Sequence, residues 1–197
     1  KKDAEDFYKY ALELLNKDKI PVFVVRDFNT TGLFQDPYDR RSNFYRLLIA
    51  EGSSSKRGRG GGSHGHGQKA PFARSNLRTV YYYSYVEGGI EGTREKDLFI
   101  GKTNINEWDD NDGNRRTHMG YYGNIDDDAL NEKQQPVPLF GEHIPEEIRR
   151  DGNKTGLDIF IIGSNMPNNW RNSATTHALN KFYAAIEYGL LKVGLKK

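Results

Sequence analysis

The chain has 197 residues, of which 28% are charged, and its formal net charge at pH 7 is +2. This length suits one domain, or one domain with an insertion, and leaves no room for two enzymatic domains. The near balance of charge excludes a strong overall field that would attract nucleic acid or an anionic membrane. The sequence has no cysteine, which excludes disulfides and thiolate metal sites. The absence of cysteine also fits a reducing compartment, so we expect a cytoplasmic protein. No apolar run approaches the roughly 20 residues of a membrane span.

The first third of the chain combines a helix, a strand and a region without apolar side chains. Apolar residues spaced by three and four predict an amphipathic helix over residues 3–16. Residues 20–25 are apolar and mostly β-branched, which predicts a strand that is buried on both faces. A short helix is predicted over residues 44–50. Residues 52–69 contain only polar residues and glycine, which is not compatible with a packed element.

The middle of the chain predicts a β-hairpin. Residues 70–76 indicate a helical turn, and residues 77–85 form a long strand pattern rich in tyrosine. Residues 97–100 are its predicted partner, with Gly88 and Gly89 in the connection. A row of tyrosines on a sheet can stack nucleobases, but their alternation favours packing in a half-buried strand.

The last third of the chain predicts an irregular segment followed by a strand and a helix. Residues 101–150 are polar and are interpreted as a surface excursion, with a short helix over residues 146–150. Residues 157–162 predict a second buried strand. Residues 173–191 predict a helix whose apolar face consists of Ala178, Leu179, Phe182, Ala185, Ile186 and Leu190. The interleaved helices and strands indicate an α/β or α+β class in which helices back one sheet, here a single domain over residues 1–197.

Asp27 directly follows the first predicted strand. A carboxylate at this position can accept a hydrogen bond from an exocyclic amine, and the small residues after it allow a flat ring to approach the backbone. The alternative is a structural turn in which Asp27 and Asn29 bond to their own backbone.

A cluster of glycines over residues 58–67 can expose consecutive amides to phosphate groups. A Walker loop is excluded because Gln68, six residues after Gly62, stands where the loop requires lysine. A dinucleotide-binding fingerprint is excluded because no strand precedes the glycines. A flexible lid with Lys69 at its far end and a disordered linker both remain.

Taken together, these motifs resemble those of the GHKL ATPases. Residues 27–32, Asp-Phe-Asn-Thr-Thr-Gly, resemble the turn that recognises adenine, and residues 62–69, Gly-Ser-His-Gly-His-Gly-Gln-Lys, resemble the lid of MORC-type and chaperone members. Residues 154–159, Lys-Thr-Gly-Leu-Asp-Ile, resemble the late threonine and glycine before a core strand. All three occur in the order of the family.

The resemblance implies a Bergerat-type two-layer α/β sandwich that binds ATP and Mg²⁺ under a lid at about residues 53–69. It also implies that the domain hydrolyses ATP and thereby drives conformational change in a larger protein. The base would contact Asp27, and the phosphates would contact the lid amides and Lys69. The implied nucleotide-binding residues are Asp27, Asn29, Gly32, Ser63, Gly65, Gly67, Lys69 and Thr155. The resemblance also implies a nucleotide-dependent dimer and a DNA or protein partner bound by other domains, in DNA transactions or phage defence.

The family's glutamate and asparagine, four residues apart on a helix, are not found. Glu13 and Asn16 are three residues apart, so we assign no catalytic residue, and we expect the catalytic helix upstream of residue 1 or lost. One alternative is therefore a non-hydrolysing interaction domain. Another is a nucleic-acid-binding module that uses Lys56, Arg57, Arg59 and Lys69. His64 and His66 alone make a weak metal site, so none is predicted.

Overall fold

The computed structural model describes residues 2–50, 66–124, 136–150, 152 and 154–196. The chain divides into two compact units, Lys1–Ser164 and Asn165–Lys197. The first unit contains helices α1 (Lys2–Leu15), α2 (Asn43–Leu48) and α3 (His66–Ala73), strands β1 (Val22–Arg26), β2 (Ser75–Tyr85), β3 (Asp97–Asn104), β4 (Trp108–Asp109), β5 (Arg115–Arg116), β6 (Met119–Tyr122), β7 (Leu139–Phe140) and β8 (Gly156–Ser164), and 3-10 turns at Gly141–His143 and Glu146–Ile148. The second unit contains helix α4 (Trp170–Glu187).

Within the described residues, six strands form one antiparallel sheet in the order β1-β8-β2-β3-β6, with β7 also paired to β3. The predicted hairpin is confirmed, because β2 pairs with β3 from Tyr85 opposite Asp97 to Thr79 opposite Thr103. β4 and β5 form a separate two-stranded ribbon. The class is therefore mixed α+β, with an antiparallel sheet and helices.

Strand β1 lies at an edge of the described sheet, where it pairs with β8. Its side chains Val22, Val24 and Val25 are exposed, so the prediction of a strand buried on both faces is wrong. The apolar run predicts the strand correctly, but it does not indicate whether other elements of the protein cover the side chains of that strand.

Three parts of residues 101–150 belong to the sheet, so the interpretation as a surface excursion does not hold for these parts. β3 continues to Asn104, and β6 and β7 pair with it along one edge. Val137 and Ile144 are buried. The backbone bonds of such short strands stabilise pairing without requiring a long apolar pattern.

Helices α2 and α3 pack on one face of the sheet, which we call the helix-bearing face. Its core contains Phe44 and Leu48 from α2, Phe72 from α3, and Val80 and Tyr82 from β2.

Helix α3 begins at His66, four residues before the predicted helical turn. Its Gln68 amide donates hydrogen bonds to the carbonyls of Arg46, Leu47 (2.5 Å) and Ala50 (3.3 Å). These carbonyls lie at the C-terminal end of α2, where the helix leaves acceptors unsatisfied. Gln68 therefore joins the two helices, which accounts for the start of packed structure inside the polar stretch.

The opposite face of the sheet is formed around Tyr83, Phe99, Ile144 and Phe160. Tyr82 and Tyr83 are almost wholly buried on the two faces, which confirms that the tyrosine row of β2 packs in the core.

Helix α4 of the second unit confirms the predicted helix, with non-helical backbone angles at Phe182. Its predicted apolar face is not buried among the described residues, since Leu179 and Phe182 are about half exposed and Leu190 is 83% exposed. Among the described residues, none of the helices has the length and apolar character needed to cross a membrane.

Burial raises the pKa of Tyr83 from 10.0 to about 12, and the nearby Asp97 carboxylate adds to the shift. An unfolded tyrosine ionises near pH 10, whereas the folded one stays neutral to near pH 12, so this stabilisation is complete below pH 10 and is lost as the pH rises to 12. We expect Tyr83→Phe to reduce the loss of unfolding free energy between pH 10 and pH 12, measured by urea denaturation. Tyr188→Phe, which removes an exposed phenol, is the control. Equal losses in both variants would contradict this prediction.

Candidate functional site

At the end of the β1–β8 ladder, the carboxylate of Asp27 takes the place of the Asp27 carbonyl as a hydrogen-bond acceptor. The Asp27 amide donates to the Leu157 carbonyl (3.0 Å), as in a regular antiparallel pair. The Leu157 amide, however, donates to Oδ1 of the Asp27 carboxylate (2.5 Å), where a regular pair would use the Asp27 carbonyl. The side chain thus replaces its own main chain in the ladder, and the carbonyl is free for another donor.

The carboxylate of Asp27 has two different oxygens. Oδ1 also accepts from the Thr30 hydroxyl (2.9 Å), so the carboxylate bonds to a side chain of the turn and to β8 and not to its own backbone as the structural alternative expected. Oδ2 accepts no hydrogen bond from any residue that the structure describes, and about half of the side chain is exposed. Asp27 can therefore hold the turn through one oxygen and accept from a ligand through the other.

The turn after Asp27 is hydrogen-bonded to β2 and to the residue that precedes β8. The Asn29 amide donates to the Thr155 carbonyl (2.9 Å), and the Leu33 amide donates to the buried Ser84 hydroxyl (2.8 Å). Asn29 has a φ of 59° and Gly32 a φ of 61°. A Cβ on Gly32 would lie 2.8 Å from the Ser84 Oγ, so this position requires glycine for space as well as conformation.

The backbone of Asp27 pairs with a residue that faces the helix-bearing side of the sheet. Its ladder partner Leu157 packs against the core of that face, as does Ile159, the partner of Val25. Directly opposed residues in an antiparallel pair point to the same side. Val25, which is 47% exposed, therefore presents apolar surface on the helix-bearing face, two residues before Asp27.

Arg150 contacts several segments of the chain around this turn, and its side chain is only 1% exposed. Its Nη2 donates to the Asp27 carbonyl (2.6 Å) and to Oδ1 of Asp158 (2.6 Å), and its Nη1 donates to the Lys154 carbonyl (2.9 Å). The guanidinium carbon lies 4.8 Å from the centre of the Phe28 ring. Arg150 thus supplies the donor for the carbonyl that Asp27 withdraws from the ladder.

Asp158 is a fully buried carboxylate near the start of β8, opposite Arg26 on β1 and Tyr83 on β2. Its Oδ1 accepts two bonds from Arg150, and its Oδ2 lies 3.5 Å from Arg26 Nε without a hydrogen bond among the described residues. Neither Asp158 nor Arg150 was among the site residues predicted from the sequence. The available signal was an aspartate inside an apolar strand, because a buried charge requires a partner.

The remaining predicted binding residues lie before β8, on helix α3, or outside the described residues. Thr155 is half-buried, and its hydroxyl accepts from the Glu87 amide (3.2 Å). Gly67 lies in the first turn of α3, and Lys69 is exposed on the same helix. Ser63 and Gly65 lie outside the described residues, as do most of the expected lid and the basic residues Lys56, Arg57 and Arg59.

Glu13 is not close to the Asp27 turn. Its neighbour Leu14 lies against Gly163, since a Cβ on that glycine would be 2.9 Å from Leu14. Gly163 and Gly156 stand at opposite ends of β8, about 23 Å apart at the usual rise per residue. Within the described part of the chain, no three His, Asp or Glu side chains form a group that could hold a metal ion.

Comparison of the chain with protein-family models, curated proteins and solved structures finds no significant match in any of the three.

Asp158→Ala should lower the free energy of unfolding by about 3 to 5 kcal/mol, because it leaves the Arg150 charge buried without its carboxylate. The matched control is Asp39→Ala, which removes the partner of an exposed arginine, Arg41. That variant should leave the urea midpoint almost unchanged, because water screens an exposed pair. Equal midpoints for the two variants would show that the Asp158 pair contributes little to stability.

Proposed function

We propose that the chain is an adenine-nucleotide-binding domain of the GHKL type, a Bergerat two-layer sandwich with the nucleotide on the helix-bearing face. The observation that carries this proposal is the Asp27 turn locked onto Thr155 and Leu157, segments that lie more than 120 residues apart in sequence. The two motifs that resemble the family's adenine site are therefore neighbours in space.

The chemistry around Asp27 fits a purine with an exocyclic amine. Asp27 Oδ2 can only accept, so it favours an amino group over a carbonyl at the edge of a base. The exposed side chain of Val25 offers apolar contact to a flat ring. At Gly156, a Cβ would lie 2.5 Å from Asp27 Oδ1 and 2.6 Å from Arg150 Nη1, so the missing side chain permits the close packing of this corner.

The phosphates would lie toward the start of α3. The first amides of a helix lack intrahelical acceptors and carry partial positive charge, and Gly67 contributes one such amide. Lys69 adds an exposed cation on the helix that packs on the same face of the sheet. In this arrangement Lys69 neutralises the terminal phosphate, and Mg²⁺ would be held mainly by phosphate oxygens and water.

We further propose that these residues bind ATP without hydrolysing it. Hydrolysis needs a base to activate water, and Glu13, the one glutamate considered for this role, belongs to the helix at the far end of β8. The non-hydrolysing form of the proposal therefore fits the described residues better than an active ATPase.

Asp27→Asn should weaken ATP binding by about 1 to 3 kcal/mol, since the amide keeps the Oδ1 acceptor for Leu157 but replaces Oδ2 with a donor that opposes the adenine amine. Binding of inosine triphosphate, which carries a carbonyl in place of that amine, should not weaken. Calorimetry with both nucleotides measures the difference.

Asp18→Asn is the control for this substitution, because it makes the same chemical change at an exposed aspartate outside the proposed site. Unchanged ATP affinity in Asp27→Asn, with the protein folded, would rule out recognition of adenine by Asp27.

Residues 1–197 should release phosphate from Mg-ATP no faster than the Lys69→Ala variant, because charge stabilisation without an activated water does not complete the reaction. The same variant should bind ATP more weakly than the unmodified chain, whereas Lys96→Ala, at another exposed lysine, should not. Phosphate release that depends on Lys69 would mean that a carboxylate within these 197 residues activates water.

A further inference from the structure

We infer that Arg150 is a positioning residue of the proposed nucleotide site, which presents the Asp27 carboxylate to the base by holding the Asp27 carbonyl out of the β1–β8 ladder. This inference rests on the proposed function, because it requires a ligand that contacts Asp27. It assigns to Arg150 a role in recognition in addition to its ion pair with Asp158.

Two acceptors of Asp27 compete for one donor. The Leu157 amide can bond to the Asp27 carbonyl, as a regular ladder would have it, or to Oδ1 of the carboxylate, as is observed. In the first case the side chain is released from the strand and loses its fixed direction. In the second case the carbonyl needs another donor, because an unpaired backbone carbonyl in a protected position is costly.

Arg150 Nη2 is that other donor, at 2.6 Å from the Asp27 carbonyl oxygen. The same guanidinium is held by Asp158 and by the Lys154 carbonyl, and it stacks on Phe28. Its position is therefore set by β8 and by the segment before it, so the donor is in place before any ligand arrives. An acceptor that is already oriented loses less conformational entropy when it binds.

Lysine cannot reproduce this arrangement. Arg150 uses Nε, Nη1 and Nη2 in a planar fork that reaches three acceptors in different directions. A lysine ammonium is a single point of charge, which can pair with Asp158 but cannot also span to the carbonyls of Asp27 and Lys154. Arg150→Lys thus preserves the neutralisation of Asp158 and removes the support of the Asp27 turn.

The test is a double-mutant cycle of Arg150→Lys and Asp27→Asn in the full 197-residue chain, with ATP and inosine triphosphate as probes. If Arg150 acts through Asp27, Arg150→Lys should weaken ATP binding about tenfold in the unmodified background and have almost no effect in the Asp27→Asn background. Affinity for inosine triphosphate should change little. The loss of thermal stability, in contrast, should appear in both backgrounds, because it comes from packing around Asp158.

The outcomes separate the inference from the proposed function. A tenfold effect that persists in the Asp27→Asn background, or an equal effect on both nucleotides, would overturn the positioning role and leave the proposed function standing. An unmodified chain that binds ATP no better than inosine triphosphate would overturn both.

Phe28→Leu provides the same test if Arg150→Lys does not fold. The ring of Phe28 is about half exposed and stacks on the guanidinium, so its replacement loosens Arg150 without opening the core. It should weaken ATP binding in the unmodified background and not in the Asp27→Asn background. Unchanged ATP affinity in this folded variant would overturn the inference.

Discussion

The pairing of β8 with β1 on one side and β2 on the other is the interaction on which the sheet and the candidate site both depend. It brings the turn after β1 against the start of β8, and it places the fully buried Asp158 between two strands. A charge in that position destabilises the sheet unless a partner is present. Arg150 is that partner, and its remaining donors reach the main chain of the turn. The arginine that neutralises the buried Asp158 thereby also supports the backbone of the exposed turn at Asp27.

The sequence predicted the elements whose signal is periodic, and it failed where neighbours decide the outcome. The helices near residues 10 and 180, the hairpin and the strand at residues 157–162 all follow from apolar spacing. The same spacing could not tell whether β1 is central or at an edge, because an apolar run has the same appearance in both cases. It also missed β6, since four residues with two tyrosines carry too little pattern and are stabilised by backbone bonds to β3.

The candidate site was only partly visible in the sequence for a related reason. Asp27 could be selected because it directly follows an apolar strand, and Thr155 because it precedes another. Arg150 carries no local signal. Arg150 lies in a polar stretch, and its role comes from its contact with Asp158, which is eight residues further along the chain. Asp158 did offer a signal, since a carboxylate within an apolar strand is expensive to bury alone, and a search for its partner would have led toward the nearby arginines.

The two oxygens of Asp27 explain how one residue can serve both the fold and a ligand. Oδ1 is committed to Leu157 and Thr30, and this commitment fixes the plane of the carboxylate. Oδ2 has no such partner in the described structure. The bonds of Oδ1 therefore orient Oδ2, while Oδ2 itself is still able to accept a hydrogen bond. A carboxylate oriented by its own strand ladder is more specific than one on a free loop, because an amine must meet it in a fixed geometry. The arrangement depends on removing the Asp27 carbonyl from the ladder, and that carbonyl would return to Leu157 without a competing donor. The buried arginine, rather than the exposed turn, therefore supplies the donor that occupies the Asp27 carbonyl outside the ladder.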